Sequence, residues 1–331
     1  MLLPGHDPAA IQAAARRLAD GELLGLPTET VYGLAARADE DAAVAKIFAA
    51  KGRPADHPLI VHVLDEAGAE PFAERLPDSA RRLMAAFWPG PLTVIVPRRP
   101  GVAQAAAGGQ ATVALRSPSH PVARAVLAAA RGLGVAGVAA PSANRFGRVS
   151  PTRAQHVVAE FEPGLMVLDG GACDVGIESS IVDCSREHPA LLRPGLLSRE
   201  RIEAVLGQAL RAPDAAAPKA SGTLAAHYAP AARVRLLGAA AMAQQLALSS
   251  AAGALEGVAV YSRAQFPTAA AAWRWQPMPV DPAAAAHELF AVLRALDAEG
   301  VREIWVEAPP PEPAWDGVRD RLSRAAAAFS D

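Results

Sequence analysis

Through residues 1–210, short apolar runs alternate with longer amphipathic stretches. A chain patterned this way must stack helices on a sheet, because each element has one face or stripe to bury against another layer. Strands are expected at Leu23–Leu26, Leu59–Leu64, Leu92–Val96, Thr112–Arg116, Val135–Ala139, Leu165–Leu168, Ser180–Asp183 and Ala190–Arg193. Helices are expected at Ala9–Ala19, Asp41–Lys51, Ser79–Phe87, Pro121–Arg131, Pro151–Phe161 and Ser198–Leu206. Gly52 and Pro54 after Lys51 are the punctuation of a helix C-terminus. Ser150-Pro151 has the form of an N-cap followed by a first-turn proline. Residues 211–230, RAPDAAAPKASGTLAAHYAP, break the alternation, and their Ala/Pro-rich first part reads as a linker. The end of that segment, Ser221-Gly222 and then His227-Tyr228-Ala229-Pro230, carries specific polar and aromatic groups. From Val234 a β-α-β-α-β-α pattern resumes, which implies a small parallel sheet. The expected organisation is therefore a domain over 1–210, a linker over 211–231 and a smaller domain over 232–331.

A length of 331 residues accommodates two domains, and 51% apolar with 20% charged residues suits a globular chain. The formal net charge of −2 argues against a protein that coats nucleic acid electrostatically. MLLPGHDPAA lacks the basic start and apolar core of a signal peptide, and no apolar run approaches the roughly 18 residues of a membrane span. Cys173 and Cys184 have no metal-type spacing; free thiols in a cytoplasmic protein are the natural reading, a disulfide the alternative. From Arg81 to Arg153 there are ten arginines and no Asp or Glu. Such a segment either concentrates an anionic ligand or pairs with acids elsewhere, such as Glu70, Glu74, Asp78, Glu160 and Glu162.

Several stretches carry polar groups where strands end. PTETVYGL, residues 27–34, offers two hydroxyls and a carboxylate after an apolar run, with Tyr32-Gly33 shaping a turn. In KGRPADHPLIVH, residues 51–62, Lys51 and Arg53 flank a glycine and suit a polyphosphate, or else simply cap the helix. WPGPLT, residues 88–93, reads as structural, with Trp88 anchored in the core. VALRSPSHP, residues 113–121, puts Arg116 at a strand end, able to hold a carboxylate or a surface partner, with Ser119 as N-cap. AAPSANRFGRVSPT, residues 139–152, combines small residues with Ser142, Asn144 and Ser150, a helix start that would favour phosphate, and charge from Arg145 and Arg148. GIESSIVD (176–183) and LLRPG (191–195) add hydroxyls and an arginine. There is no GxxxxGK[ST], GxGxxG or GxSxG, so P-loop, dinucleotide and serine-hydrolase readings lose support.

In this order, the seven motifs resemble the YrdC-domain family, the threonylcarbamoyl-AMP synthases, over about residues 10–208. HYAP followed by a small α/β domain resembles the long, two-domain form of that family. The resemblance implies a twisted open mixed sheet with a positively charged concave cavity, plus a small Rossmann-like C-terminal domain. It implies a nucleotidyltransferase that makes L-threonylcarbamoyladenylate and diphosphate from L-threonine, bicarbonate (or CO2) and ATP with Mg2+. The product would pass to the tRNA threonylcarbamoyl-transferase complex for modification of adenosine 37. Direct tRNA binding would be weak or absent, and no membrane would be involved. Carried over residue by residue, Thr30, His62, Arg116, Ala140 and Ser180 would contact threonine, with its carboxylate on Arg116. Lys51, Arg53, His57, Thr112, Ser142, Asn144, Ser150, Arg193 and Tyr228 would surround ATP, with Lys51 and Arg53 neutralising charge in the reaction. The HYAP segment, with His227 and Tyr228, would act as a lid. The chain departs from the family pattern at His57, where Asn is usual, at Ser180, where Thr is usual, and at Thr223–Ala226, where a Met-Lys-Tyr-type run is common. Alternatives are a double-stranded RNA or nucleotide-binding module and another carbamoyl-adenylate-forming transferase. Hydrogenase-maturing carbamoyltransferases share the domain but add acylphosphatase and zinc-finger parts not seen in this sequence.

Overall fold

The computed structural model describes residues 1–265 and 273–329. It divides into a first unit, Met1–Phe146 with Ser150–Thr223, and a second, Gly147–Val149 with Leu224 onward.

Ten strands form the sheet of the first unit: β1 (Leu2–Pro4), β2 (Leu24–Leu26), β3 (Gly33–Arg37), β4 (Ile60–His62), β5 (Leu92–Pro97), β6 (Thr112–Arg116), β7 (Val138–Ala139), β8 (Met166–Asp169), β9 (Ser180–Asp183) and β10 (Ala190–Arg193). Their order is β1-β8-β2-β3-β7-β4-β6-β5-β9-β10. The sheet is mixed: β4 runs parallel to β6 and β5 to β9, whereas β5–β6 and β9–β10 are antiparallel. Val61, Val94, Val96, Val113, Leu115 and Val182 join one large core with Ile47, Phe48 and Leu83 of the flanking helices. Side chains alternate across a strand, so Ile60, Ile95, Ala114 and Ile181 lie on the opposite face, in a small cluster with Ala190 and Leu192. The same alternation puts His62, Thr93 and Arg116 on that second face, with His62 and Arg116 directly paired in register. Ala217 and Ala220 of the Ala/Pro-rich segment pack against this cluster, and Lys219 forms an ion pair with Asp56 at 2.9 Å. Far from being featureless, the segment as far as Thr223 belongs to the first unit.

Three expectations need correction here. The strand Val135–Ala139 shrinks to Val138–Ala139, because Gly137 crosses tightly: a Cβ there would meet Phe72 at 2.9 Å and the His62 carbonyl at 3.0 Å. Gly33 does not shape a turn. It opens β3, which pairs antiparallel with β2, and it is small because a Cβ would sit 3.0 Å from that of Ala140. The helix expected at Pro151–Phe161 is only Ala154–Val158, with Arg153 before it and no side-chain cap.

The second unit holds a four-stranded, all-parallel sheet of β11 (Arg233–Leu237), β12 (Val258–Ser262), β13 (Trp273–Pro277) and β14 (Glu303–Glu307), in the order β11-β14-β12-β13. Helices Ala239–Ala251, Pro282–Ala298 and Asp316–Ala327 accompany it, with Met242, Leu246, Val260 and Trp305 in its core. Trp273–Pro277 is an edge strand absent from the sequence reading. Its Arg and Gln alternate with half-buried tryptophans, and the stretch ends in proline.

Candidate active site

The helix Asp41–Lys51 ends in a Schellman motif. Gly52, at φ 63°, donates its N–H to Ala49 O, and Arg53 N reaches back to Phe48 O. The tight stop buries Lys51, whose Nζ donates to Ser142 O at 2.6 Å and to Asn144 O. Burial, and then the nearby Arg53 charge, hold its pKa well below the ordinary lysine value. Arg53 Nη2 donates to Pro58 O at 2.9 Å and to Ser221 Oγ at 3.4 Å. Its guanidinium lies 6.0 Å from the centre of the Phe146 ring, which also meets the His57 ring at 5.6 Å. A third buried cation, Arg193 at the end of β10, donates to Ser179 O, Ser179 Oγ and Ser221 O. Ser179 Oγ in turn shares a hydrogen bond with Thr93 Oγ1 at 2.8 Å. Ser150 Oγ donates to Glu178 Oε1.

The loop from β2 to β3 is PTETVY, laced to the 140s loop by Tyr32 N to Pro151 O and Ala143 N to Tyr32 O. Thr28 Oγ1 accepts from the N–H groups of Thr30 and Val31 and donates to Val31 O, which fixes the turn. Arg116 enters this loop from β6. Its Nη1 donates to Thr30 Oγ1 at 2.8 Å, Nε to Gly90 O at 3.3 Å, and Nη2 lies 2.7 Å from Glu29 Oε1. Nη1 keeps one N–H unspent and Nη2 makes no aligned hydrogen bond, which leaves a fork suited to a carboxylate. Beside it, His62 Nδ1 lies 3.2 Å from Ile60 O, and burial together with the Arg116 charge brings its pKa down to about 3. His62 is therefore neutral at physiological pH and can donate or accept one hydrogen bond without adding charge. Its folded pKa lies below the unfolded value near 6.5, so below that pH the unfolded chain takes up a proton that the folded chain refuses. The His62 contribution should lower stability by up to about 1.4 kcal/mol per pH unit from pH 6.5 down towards 3. Urea titrations should show that slope diminished in His62→Gln; an unchanged slope would contradict it.

Of the other expected site residues, Ala140 donates its N–H to Ile60 O, and Thr112 opens β6 opposite Pro97. Ser142 and Asn144 offer their carbonyls to Lys51. Ser180 Oγ donates to Leu197 O, while alternation along β9 leaves the neighbouring Ser179 on the face of Thr93 and Ile181. Tyr228 lies in the second unit, its ring 5.4 Å from that of Phe290 and 5.5 Å from the Arg321 guanidinium, with His227 edge-on against it.

The phosphate site drawn at a helix start near Ser150 is not there: Ser150 is spent on Glu178, and the helix begins at Ala154 with five residues. His120, rather than Ser119, caps the helix Pro121–Arg131 through Nδ1 to Val122 N. Arg145 lines a separate cavity of about 530 Å³ with Arg17, Lys46 and Phe161, and Arg148 pairs with Asp297 in the second unit. Among the ten arginines of the acid-free segment, Arg116 alone is in the buried set; Arg81 and Arg131 pair with Glu66 and Asp65, and Arg82, Arg98, Arg99 and Arg124 donate to main-chain carbonyls. The buried positive charge comes largely from outside that segment. Lys51, Arg53, Arg116 and Arg193 make four buried cations against the carboxylates of Glu29 and Glu178; a third buried carboxylate, Asp183, is paired with Arg186. Sequence reading gave no site role to Glu178, Ser179 or Ser221. The signal available for the first two is their place in GIESSIVD, directly before Ser180.

Known proteins resemble this chain over nearly its whole length. The Sua5/YciO/YrdC family model, described as telomere recombination, matches residues 16–195, and the model for the threonylcarbamoyl-AMP synthase C-terminal domain matches 197–327. The threonylcarbamoyl-AMP synthase of Bacillus subtilis is 45% identical over 62% of this chain, a match spanning 58% of that relative's length. That of Schizosaccharomyces pombe is 34% identical over 98% of this chain and 90% of its own. The crystal structure of Pyrococcus abyssi Sua5 complexed with L-threonine superposes with a TM-score of 0.85 at 35% identity, covering 96% of this chain and 94% of that one. The chain belongs to the threonylcarbamoyl-AMP synthase family and carries both its Sua5/YciO/YrdC domain and its C-terminal domain.

Proposed function

We propose that this protein joins L-threonine, bicarbonate (or CO2) and ATP into L-threonylcarbamoyladenylate, releasing diphosphate. The observation that carries the reading is the set of four buried cations in the first unit, Lys51, Arg53, Arg116 and Arg193, against the buried carboxylates of Glu29 and Glu178. The third buried carboxylate there, Asp183, is paired with Arg186. Buried charge of one sign in excess calls for a ligand of the other. The threonine complex of the Pyrococcus protein, alike over nearly the whole chain, supports an amino-acid substrate.

In this reading Arg116 takes the threonine carboxylate through its unspent Nη N–H groups, while Thr30, neutral His62 and the Ala140 main chain complete the subsite. Ser180, on the other face of β9 with its hydroxyl given to Leu197 O, lies outside it. Lys51, Arg53 and Arg193 hold the triphosphate, with His57, Thr112, Ser142, Asn144 and Ser150 around the nucleotide. The threonine amine attacks the carbon of bicarbonate and water leaves, giving a carbamate. A carbamate oxygen then attacks the α-phosphorus, and the bond to the β-phosphate oxygen breaks. No protein nucleophile is required; positioning and stabilisation of developing charge lower the barrier. Among the described residues no group of three or more His, Cys, Asp or Glu side chains could hold a metal ion, so Mg2+ belongs to this reading as the ion carried by ATP, neutralising phosphate charge.

The product, a reactive mixed anhydride, would be handed to the tRNA threonylcarbamoyl-transferase complex in the cytoplasm, with little or no direct binding of tRNA by this protein. Among the described residues no helix is long and apolar enough to cross a membrane. Diphosphate release measured with each substrate omitted in turn tests the reading. It should require threonine, bicarbonate and ATP together; release without threonine, or none with all three, would overturn it.

A further inference from the structure

Glu29 has a side chain 5% exposed, and neither of its carboxylate oxygens accepts an aligned hydrogen bond. A buried carboxylate ordinarily collects two or three donors, and leaving it without them is costly. The donors nearby are spent elsewhere: the N–H groups of Thr30 and Val31 go to Thr28 Oγ1, and Arg116 Nη1 goes to Thr30. Arg116 Nη2 gives Glu29 Oε1 a charge contact at 2.7 Å, and Oε2 has nothing. The main-chain carbonyl of Glu29 is pinned by Val175 N, so the loop holds this side chain in place with an acceptor to spare.

We propose that Glu29 Oε2 accepts the α-ammonium of the amino-acid substrate and takes one of its protons as the nitrogen–carbon bond forms. The inference rests on the threonine reading of the Arg116 subsite. In an amino acid the carboxylate and ammonium hang on one carbon, so a ligand whose carboxylate lies on Arg116 brings its ammonium within a few ångströms. A carboxylate already 2.7 Å from that guanidinium is the complementary charge. The other titratable groups facing this region are poor bases or are already committed. His62 is barely basic, with a pKa brought down to about 3, and His120 is also depressed by burial. The Cys173 thiol is pushed far up by burial, and Asp174 acts on it from the next position. The proton balance is complete: ammonium, bicarbonate and ionised Glu29 give carbamate, water and protonated Glu29, which returns its proton to solvent after the product departs.

Glu29→Gln keeps the shape and an oxygen for Arg116 but removes the base. At pH 7 its kcat/KM for threonine should fall by at least about 100-fold. The loss should shrink by about tenfold per pH unit towards pH 9, as free amine becomes abundant. A loss that does not vary with pH would make Glu29 a purely structural partner of Arg116 and overturn the proposal. A binding measurement on the unaltered protein needs no variant to fold. Calorimetry should show threonine bound at least about tenfold more tightly than 3-hydroxybutyrate of matching configuration, which lacks the amine. Equal affinity would refute the ammonium contact. If the unaltered protein binds threonine with this preference but releases no diphosphate, the synthase reading fails while the contact stands.

Discussion

Lys51→Met should lower kcat/KM for ATP by about two to three orders of magnitude, the usual cost of losing a preorganised charge at a reacting phosphate or oxyanion. Lys51 spends two of its three N–H groups on the carbonyls of Ser142 and Asn144, so the third points a positive charge from a fixed, water-poor position. The same two bonds tie the 140s loop to the end of the helix, and a charged donor to a carbonyl contributes about 1.5–3 kcal/mol. The variant should therefore also melt several degrees lower. Lys51→Arg should not restore activity, because a planar fork cannot sit between two carbonyls that a compact ammonium fits. Threonine binding, measured without ATP, should be close to unchanged in both variants. A threonine affinity that falls in step with the ATP term would mean that the whole subsite had collapsed, and Lys51 would then lose its assignment to phosphate.

Arg116→Ala should act on the other substrate. Its unspent N–H groups vanish, and KM for threonine should rise by roughly 100-fold or more, as for loss of one partner of a buried charge pair. KM for ATP should stay within about threefold. The substitution also strands Glu29, whose side chain is 5% exposed, and breaking a buried pair in this way costs about 3–5 kcal/mol of stability. Adding Glu29→Gln to Arg116→Ala should recover part of that stability, because the stranded carboxylate becomes neutral, yet it should not recover threonine binding. Equal effects on the two substrates, or a stability loss that the second substitution leaves untouched, would refute the paired role.

The strands that build the site were legible because β6, β9 and β10 are apolar runs with clear ends, and their bounds, Thr112–Arg116, Ser180–Asp183 and Ala190–Arg193, match the expectation. So was the stop after Lys51, because Gly52 in the left-handed region is a strong local signal. Elements with weak local patterning were not legible. Leu2–Pro4 is three residues at a sheet edge, and Gly33–Arg37 looks like the tail of a loop until β7 lies beside it. Ser150 had the right local form for an N-cap, but a distant Glu178 claimed its hydroxyl, which no window of neighbouring residues could show. The arginine run misled for a related reason. A charge count along the chain says nothing about which guanidiniums are buried, and Arg116 is while Arg81 and Arg131 sit half-exposed against acids. Glu29 reads as a loop residue in PTETVYGL; only the approach of β6 to that loop makes it the counter-ion of Arg116.

The central claim is that one protein joins an amino acid, a one-carbon unit and a nucleotide in a single product. Incubation with ATP, threonine and 13C-labelled bicarbonate, followed by mass spectrometry of the quenched reaction, tests it most directly. One adenylate containing threonine and a single 13C atom should form, one-for-one with diphosphate. Diphosphate accompanied only by unlabelled AMP, or by an adenylate without the labelled carbon, would contradict it.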